Sequence, residues 1–147
     1  MFKNILIPTD GSEFSEKVVA DGMALAKTLH AKVTGVHVFS SYLISPYGEF
    51  GPSDEEVYKQ MRALGQREGN KYLDRLQTAA KAAGVEFERV VLEKDRPWEG
   101  IIEAARKKHC DVIMMAAHGR RGLSALVVGS ETNKVLTHAK IPVLVYH

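Results

Sequence analysis

Apolar positions along the chain follow two alternating patterns. Short runs rich in β-branched residues occur five times, and longer stretches with apolar residues at every third or fourth position separate them. This alternation is typical of βαβ units, in which helices join parallel strands. The predicted strands span residues 3–8, 32–39, 85–93, 111–117 and 142–146. The sequence therefore predicts an α/β fold with a five-stranded parallel sheet.

The internal pattern of the strands indicates where the helices lie. Four of the runs lack apolar and polar alternation, as expected for strands covered by helices on both faces of a doubly wound sheet. The run at 85–93 instead begins Val85-Glu86-Phe87-Glu88, an alternating start that suits a sheet edge. Met114 and Met115 are most simply strand core, although a residue at the carboxyl end of a strand can face a ligand in this architecture.

Four helices are predicted between the strands. The first presents small or apolar residues on one face, at spacings of four, four, three and four: Phe14, Val18, Gly22, Leu25 and Leu29. The second runs over 54–83 and stops at Gly84, and its packed face is expected to carry Val57, Met61, Leu64, Tyr72, Leu76 and Ala80. Pro97 begins the third helix and Ser130 the fourth.

A longer connection, residues 40–53, contains Tyr42, Tyr47 and Phe50 among several glycines and prolines. Two interpretations stay open. The segment is either a lid over a ligand or a surface connection whose aromatic residues pack locally or against a partner subunit.

Composition narrows the function classes. With 147 residues, 45% of them hydrophobic, the chain is expected to form one domain over residues 1–147. A net charge of +2, spread among acids, lacks the basic footprint of a nucleic-acid-binding protein. No apolar run is long enough to cross a bilayer. The single cysteine, Cys110, fits a buried position and a reducing, cytoplasmic location, and zinc is unsupported.

Two loops at the carboxyl ends of strands carry the candidate chemistry, because open parallel sheets bind ligands at that edge. The loop after the first strand, Pro8-Thr9-Asp10-Gly11-Ser12-Glu13, is acidic, whereas the loop after the fourth contains His118, Arg120 and Arg121. A phosphate is therefore expected at the second loop and would be repelled at the first.

The second loop leads to Gly129-Ser130 at the start of the last helix, where unpaired N–H groups and the helix dipole favour an anion. Gly119 and Gly129 allow close backbone approach, while the Ser130 hydroxyl can cap the helix or contact a phosphate oxygen. The Walker and dinucleotide fingerprints are both absent. This stretch is interpreted as a phosphate cradle.

These residues together resemble the universal stress protein family. The resemblance rests on Ile5 to Ser12, on His37-Val38, on His118-Gly119 with nine residues before Gly129-Ser130, and on Ile141 to Val145, in the family's order and spacing. It implies a sheet of order 3-2-1-4-5, a usual dimer, and an ATP-binding subgroup marked by G-x-x-G-x9-G-[S/T]. This chain departs from that pattern at the first glycine, which is Ala116.

The same resemblance implies a nucleotide site with residues from both loops. Pro8, Thr9 and Asp10 would approach the nucleoside, and Val38 would offer backbone groups to adenine. The remaining residues of the implied site lie along the second loop and surround the phosphates: Met115, Ala116, His118, Gly119, Arg120, Gly129, Ser130 and Glu131. The ligand would be ATP, ADP or AMP, with Mg²⁺ as the accompanying ion. No catalytic residue and no metal-ligating residue is identified.

Three functions stay open at this point. The first is a nucleotide-binding stress-response or signalling module. The second is an enzyme, a slow ATPase or an adenylate-forming relative, for which no positioned base is visible. The third is a dimeric interaction protein in which Ala116 has disabled the pocket. In the implied strand order Val143–Tyr146 is a short apolar edge, which predicts a homodimer through that strand.

Overall fold

The predicted sheet is present, with every neighbouring pair of strands parallel. The structure, a computed structural model, describes residues 1–41, 44–45, 48–49, 55–118 and 128–147. The strands are β1 (Asn4–Pro8), β2 (Lys32–Phe39), β3 (Phe87–Glu93), β4 (Val112–Ala116) and β5 (Val143–Tyr146). They lie in the order β3-β2-β1-β4-β5, so the expected order 3-2-1-4-5 and the edge position of β3 are confirmed.

A second, two-residue ladder pairs Ile44–Ser45 with Gly48–Glu49 inside the long connection. The aromatic residues on which the lid interpretation rests, Tyr42, Tyr47 and Phe50, lie outside the described residues.

Four helices cover the sheet: α1 (Glu13–Leu29), α2 (Glu55–Ala83), α3 (Pro97–Lys107) and α4 (Ser130–His138). Local signals set their ends. Ser12 caps α1, since its hydroxyl accepts from the Ser15 amide. Pro97 occupies the first turn of α3, and Gly84 follows α2 with a φ of 71°, a conformation that glycine adopts without a Cβ penalty.

One face of the sheet packs against α1 and α2. Its core includes Ile5 and Ile7 of β1 and Met114 of β4. α1 lies close to the sheet at Gly22, where a Cβ would stand 2.5 Å from the Ile7 Cδ1 atom. Gly22 therefore lets this helix sit directly above β1 and β4.

The opposite face packs against α3 and α4. Leu6, Val36 and Ile113 from the sheet meet Ile101 of α3 and Val135 of α4. Helices thus cover both faces, and the near-complete burial of β1 and β4 explains why these strands show no alternation. Cys110 belongs to this core as predicted, and burial raises the pKa of its thiol. Among the described residues, no helix has the length and apolar content needed to cross a bilayer.

The expectation for the packed face of α2 is wrong in its first half. Tyr72, Leu76 and Ala80 are buried, but Val57 and Leu64 are exposed, Leu64 by 45%. The physical reason is length. A helix of 29 residues spans about 44 Å, whereas the eight residues of β2 span about 26 Å, so the start of α2 extends beyond the sheet.

The strand order reverses between β1 and β4. Their ladder contains two residue pairs, Ile5↔Val112 and Leu6↔Ile113, although β1 continues to Pro8 and β4 to Ala116. β1 leads into α1 on one face and β4 leads towards α4 on the other. We call the space between these two strand ends the β1–β4 crevice, which is the standard ligand position in open parallel sheets.

Candidate functional site

The loop that follows β1 is held by hydrogen bonds from its own side chains. The Gly11 amide donates to the Thr9 Oγ1 atom at 3.2 Å, and the Ser12 amide donates to the Asp10 Oδ1 atom at 2.9 Å. The Ser15 hydroxyl donates to the Ser12 carbonyl at 2.7 Å. Asp10 therefore lies in a tight Asx turn at the β1 side of the crevice.

Gly11 gives this loop its shape. Its φ is 76°, in the left-handed region that favours glycine. A Cβ at this position would lie 2.3 Å from the Cε1 atom of Tyr72, a buried residue of α2. The loop is thus seated against α2, and no larger residue fits at position 11 without displacing the tyrosine ring.

The β4 side of the crevice is closed by backbone contacts. The Gly129 amide donates to the Ala117 carbonyl at 2.7 Å, and the Ala117 amide donates to the Tyr146 carbonyl at 2.7 Å. The hydroxyl of Thr132, a buried residue of α4, donates to the Ala116 carbonyl at 3.0 Å. A Cβ on Gly129 would stand 3.1 Å from the Ala117 carbonyl oxygen, so the two segments meet closely.

Helix α4 begins at Ser130, as predicted, but Ser130 does not cap it. Ser130 is the first helical residue, and the N-cap is Gly129, so no side-chain cap hydrogen bond forms. The reason is geometric, because capping requires the side chain one position earlier, where glycine has none. Within the described parts of the chain, the amides of Ser130, Glu131 and Thr132 have no hydrogen-bond acceptor. These donors adjoin the crevice because Gly129 is bonded to Ala117 at the end of β4.

Glu131 directs its carboxylate away from those donors. Its Oε2 atom accepts from the Trp98 amide at 3.0 Å, and its Oε1 atom accepts from the Lys134 Nζ atom at 3.0 Å. The carboxylate therefore satisfies an amide in the first turn of α3. Trp98 also packs on His138 of α4, with ring centroids 4.5 Å apart.

The other predicted site residues lie near the same edge of the sheet with different surroundings. Met115 is buried in the α3/α4 core, where the simpler core interpretation applies to it. Val38 packs against Gly100 of α3, and Ala116 packs against the α1/α2 core. His118 is buried, with its ring centroid 6.4 Å from that of His147. Gly119 and Arg120 lie outside the described residues.

Two cavities of the described structure lie away from Gly129. One of about 480 Å³ is open to solvent at the carboxyl end of β3 and is lined by Arg62, Gln66 and residues 91–95. A smaller one of about 80 Å³ lies beside Thr9 and Gly11, between α1 and α2. In the described ranges, no group of three His, Cys, Asp or Glu side chains is arranged to hold a metal ion.

Comparison with known proteins identifies the family to which this chain belongs. The family model described as "Universal stress protein family" matches residues 1–147. The chain belongs to the universal stress protein family. A curated relative, Universal stress protein MJ0531 of Methanocaldococcus jannaschii, is 32% identical over 145 residues, which cover 99% of this chain and 82% of the relative.

Solved structures of universal stress proteins share the fold. MJ0577 of M. jannaschii superposes with a TM-score of 0.82 at 25% identity, covering 99% of this chain and 95% of the other. A universal stress protein of Arabidopsis thaliana with AMP bound gives a TM-score of 0.67 at 18% identity, with coverages of 97% and 90%. A universal stress protein in complex with cAMP gives 0.67 at 20% identity, with coverages of 99% and 97%.

Sequence reasoning missed three residues that shape the crevice of this universal stress protein. Tyr72 had been assigned only to the packed face of α2, and Thr132 had no role. His37, which contributed only to the family resemblance, is buried, and its ring is hydrogen-bonded to the Thr9 carbonyl. A polar residue within an otherwise apolar buried strand was the signal available for His37, because such a residue needs a partner.

Proposed function

We propose that this universal stress protein binds an adenine nucleotide in the β1–β4 crevice and acts as a nucleotide-responsive module in stress response or signalling. The phosphates lie against the start of α4, and the nucleoside lies towards Asp10. The neighbours solved with AMP and cAMP support the ligand class.

The observation that carries the proposal is a difference among helix starts. At the carboxyl edge of the sheet, the Ser12 hydroxyl accepts a hydrogen bond from an amide in the first turn of α1. The Glu131 carboxylate accepts one from an amide in the first turn of α3. In the described structure no side chain accepts a capping hydrogen bond from the first amides of α4. Open amides at a helix start attract an anion, because they combine unpaired donors with the positive end of the helix dipole.

Ala116 does not weigh against this function. Its methyl group packs against the α1/α2 core, and its carbonyl accepts from Thr132. The extra methyl is thus accommodated by packing on the α1/α2 side. In this proposal Glu131 contributes its backbone amide to the phosphates, since its carboxylate is engaged by Trp98 and Lys134. Gly119 and Arg120 remain predicted phosphate contacts, and Mg²⁺ remains a predicted companion of ATP.

Titration calorimetry with AMP, ADP and ATP tests the proposal. Gly129→Val places a branched side chain against the Ala117 carbonyl and beside the open amides, so we expect affinity to fall at least about tenfold. Thr137→Val is the matched control, because it removes an exposed hydroxyl at the other end of α4. Equal affinities for wild type and Gly129→Val would refute the assignment of the phosphate position.

We also propose that the protein is a homodimer through β5. Leu144 and Tyr146 are each 38% exposed at this sheet edge, whereas the edge strand β3 carries the charged residues Glu88 and Arg89 in ion pairs. Charged edges resist pairing, and short apolar edges invite it. The predicted cytoplasmic location is consistent with this module.

Light scattering tests the dimer. Val145→Lys introduces a charge into the edge and should convert the dimer to a monomer, while Leu64→Lys, at an exposed apolar site on α2, should not. An unchanged mass for Val145→Lys would exclude pairing through β5.

A further inference from the structure

The Thr9 carbonyl is held by a side chain at the point where the β1–β2 ladder ends. The ladder closes with the Thr9 amide donating to the Val36 carbonyl at 2.9 Å. In a parallel ladder, the next rung would use the Thr9 carbonyl as acceptor. That carbonyl instead lies 2.8 Å from the His37 Nδ1 atom, which must be the donor because a carbonyl can only accept.

The imidazole ring of His37 is enclosed by α2. It meets the Tyr72 ring edge-on, with centroids 5.2 Å apart and an interplanar angle of 71°. On another side it lies under Gly69, where a Cβ would stand only 2.8 Å from the His37 Cδ2 atom. His37 is 9% exposed. The ring therefore cannot rotate away from Thr9 unless α2 shifts.

Tyr72 contacts the same loop at Gly11, two residues after Thr9. Its ring lies beside Gly11, where a Cβ would stand 2.3 Å from the Tyr72 Cε1 atom, and its hydroxyl donates to Glu68 on the preceding turn of α2 at 3.0 Å. One residue of α2 thus touches both the imidazole that holds Thr9 and the glycine that follows Asp10. Two contacts, the hydrogen bond from His37 of β2 and the steric contact of Tyr72 of α2, fix the conformation of the loop at residues 9–12.

We propose that His37 and Tyr72 are positioning residues for the nucleotide, which couple the seating of α2 to the β1 side of the crevice. Neither residue contacts the ligand in this proposal, which rests on the proposed function. Without the His37 bond, the loop gains alternative conformations, and the ligand must then restore the binding conformation at a cost in affinity. Conversely, a bound nucleotide stabilises the packing of α2 by the same coupling.

A purely structural role for His37 makes a different prediction. In that case its replacement lowers global stability without a specific change in the loop or in affinity. Two substitutions separate the roles. His37→Leu retains a similar volume and removes the donor, whereas His37→Asn keeps an N–H donor attached to Cγ, the position of Nδ1 in histidine.

The experiment has two readouts. Amide hydrogen exchange of Gly11 and Ser12, measured without ligand, should accelerate about tenfold in His37→Leu, and the Kd for AMP should rise about tenfold. His37→Asn should restore both to within about threefold of wild type. Thr78→Val, which removes an exposed hydroxyl of α2, is the control and should match wild type in both.

The two readouts separate failure of this inference from failure of the proposed function. If the wild type binds no AMP, the exchange readout still tests the positioning role. The proposal is overturned if the exchange of Gly11 and Ser12 is unchanged in His37→Leu. It is also overturned if His37→Asn changes exchange and affinity as much as His37→Leu does. If His37→Leu does not fold, Gly69→Ala replaces it, because the new methyl displaces the imidazole from outside. Gly69→Ala must then accelerate the same amides, and wild-type exchange would overturn the proposal.

Discussion

The two sides of the β1–β4 crevice are held in place by different kinds of contact. On the β1 side, the side chains of Thr9, Asp10 and Ser12 bond to the loop backbone, and Tyr72 supports it sterically. On the β4 side, the amide of Gly129 bonds to the Ala117 carbonyl, with one side-chain bond from Thr132. The loop on the β1 side is thus held by hydrogen bonds among its own polar atoms. On the β4 side, the first amides of α4 have no acceptor in the described structure.

In the proposed site, the two sides of the crevice therefore have different roles. A loop whose donors are already satisfied provides fixed shape and the charge of Asp10. A helix start whose amides lack acceptors in the described structure provides attraction for an anion. The sequence alone predicted the same polarity, acidic at β1 and phosphate-binding at β4, and the proposed nucleotide site depends on it.

The largest expected effect comes from Gly11, where shape depends on the absence of a side chain. Gly11→Ala combines an unfavourable positive φ with a methyl group 2.3 Å from the Tyr72 ring, so we expect a loss of about 3 kcal/mol in unfolding free energy. Gly84→Ala is the matched control. It has a similar φ of 71° but no atom within 4 Å, and it should cost about 1 kcal/mol.

Urea unfolding of both variants measures this difference. Equal losses at positions 11 and 84 would mean that the contact with Tyr72 contributes nothing, and the steric support of the β1 side would have to be abandoned.

A smaller effect is expected on the β4 side. Thr132→Val conserves shape and removes the buried hydrogen bond to the Ala116 carbonyl, so we expect a loss of about 1.5 kcal/mol. Thr137→Val removes an exposed hydroxyl bonded within the same helix and should change stability by less than about 0.5 kcal/mol. Indistinguishable unfolding curves for the two variants would show that the β4 side is held by backbone contacts alone.

The smallest effect on stability is expected at Glu103, which lies outside the crevice. Glu103 of α3 is paired with Lys107 and Lys94, which lower the pKa of its carboxyl to about 2. A lowered pKa stabilises the fold above pH 4.5, and that contribution is lost as the pH falls towards 2. The melting temperature of wild type should therefore exceed that of Glu103→Gln near neutral pH, with the gap narrowing from pH 4.5 to 2.

Nucleotide affinity should be the same in wild type and Glu103→Gln at pH 7, because Glu103 lies on neither side of the crevice. A pH-independent gap in melting temperature would show that the two lysines do not stabilise the ionised carboxylate.

Local patterns in the sequence predicted most of the fold. β-branched runs located all five sheet strands, and Pro97 and Gly84 marked helix ends, because each signal acts within a few residues of itself. The strand order came from the resemblance, since periodicity carries no information about which strands are neighbours. The burial of Val57 and Leu64 was mispredicted, because a helical stripe shows which face is apolar but not how far the sheet beneath it extends.

The candidate site was predicted less completely. Asp10 was predicted from its charge at a strand end, and Gly129 from its position at the start of the last helix. The contacts of Tyr72 with Gly11, of Thr132 with Ala116, and of Glu131 with Trp98 join residues distant in sequence, so no local pattern indicates them. Ser130 begins α4 as predicted, but of the two roles left open for its hydroxyl the structure does not show the capping one, because Gly129 occupies the N-cap position.

The most direct test of the central claim is a map of backbone amide chemical shifts during titration with AMP. If the nucleotide binds in the β1–β4 crevice, the largest changes will occur on both of its sides, at residues 10–12 and at 130–132, with smaller changes elsewhere. Changes confined to the cavity at the end of β3, around Arg62 and residues 93–95, would contradict it. So would the absence of any change at millimolar AMP.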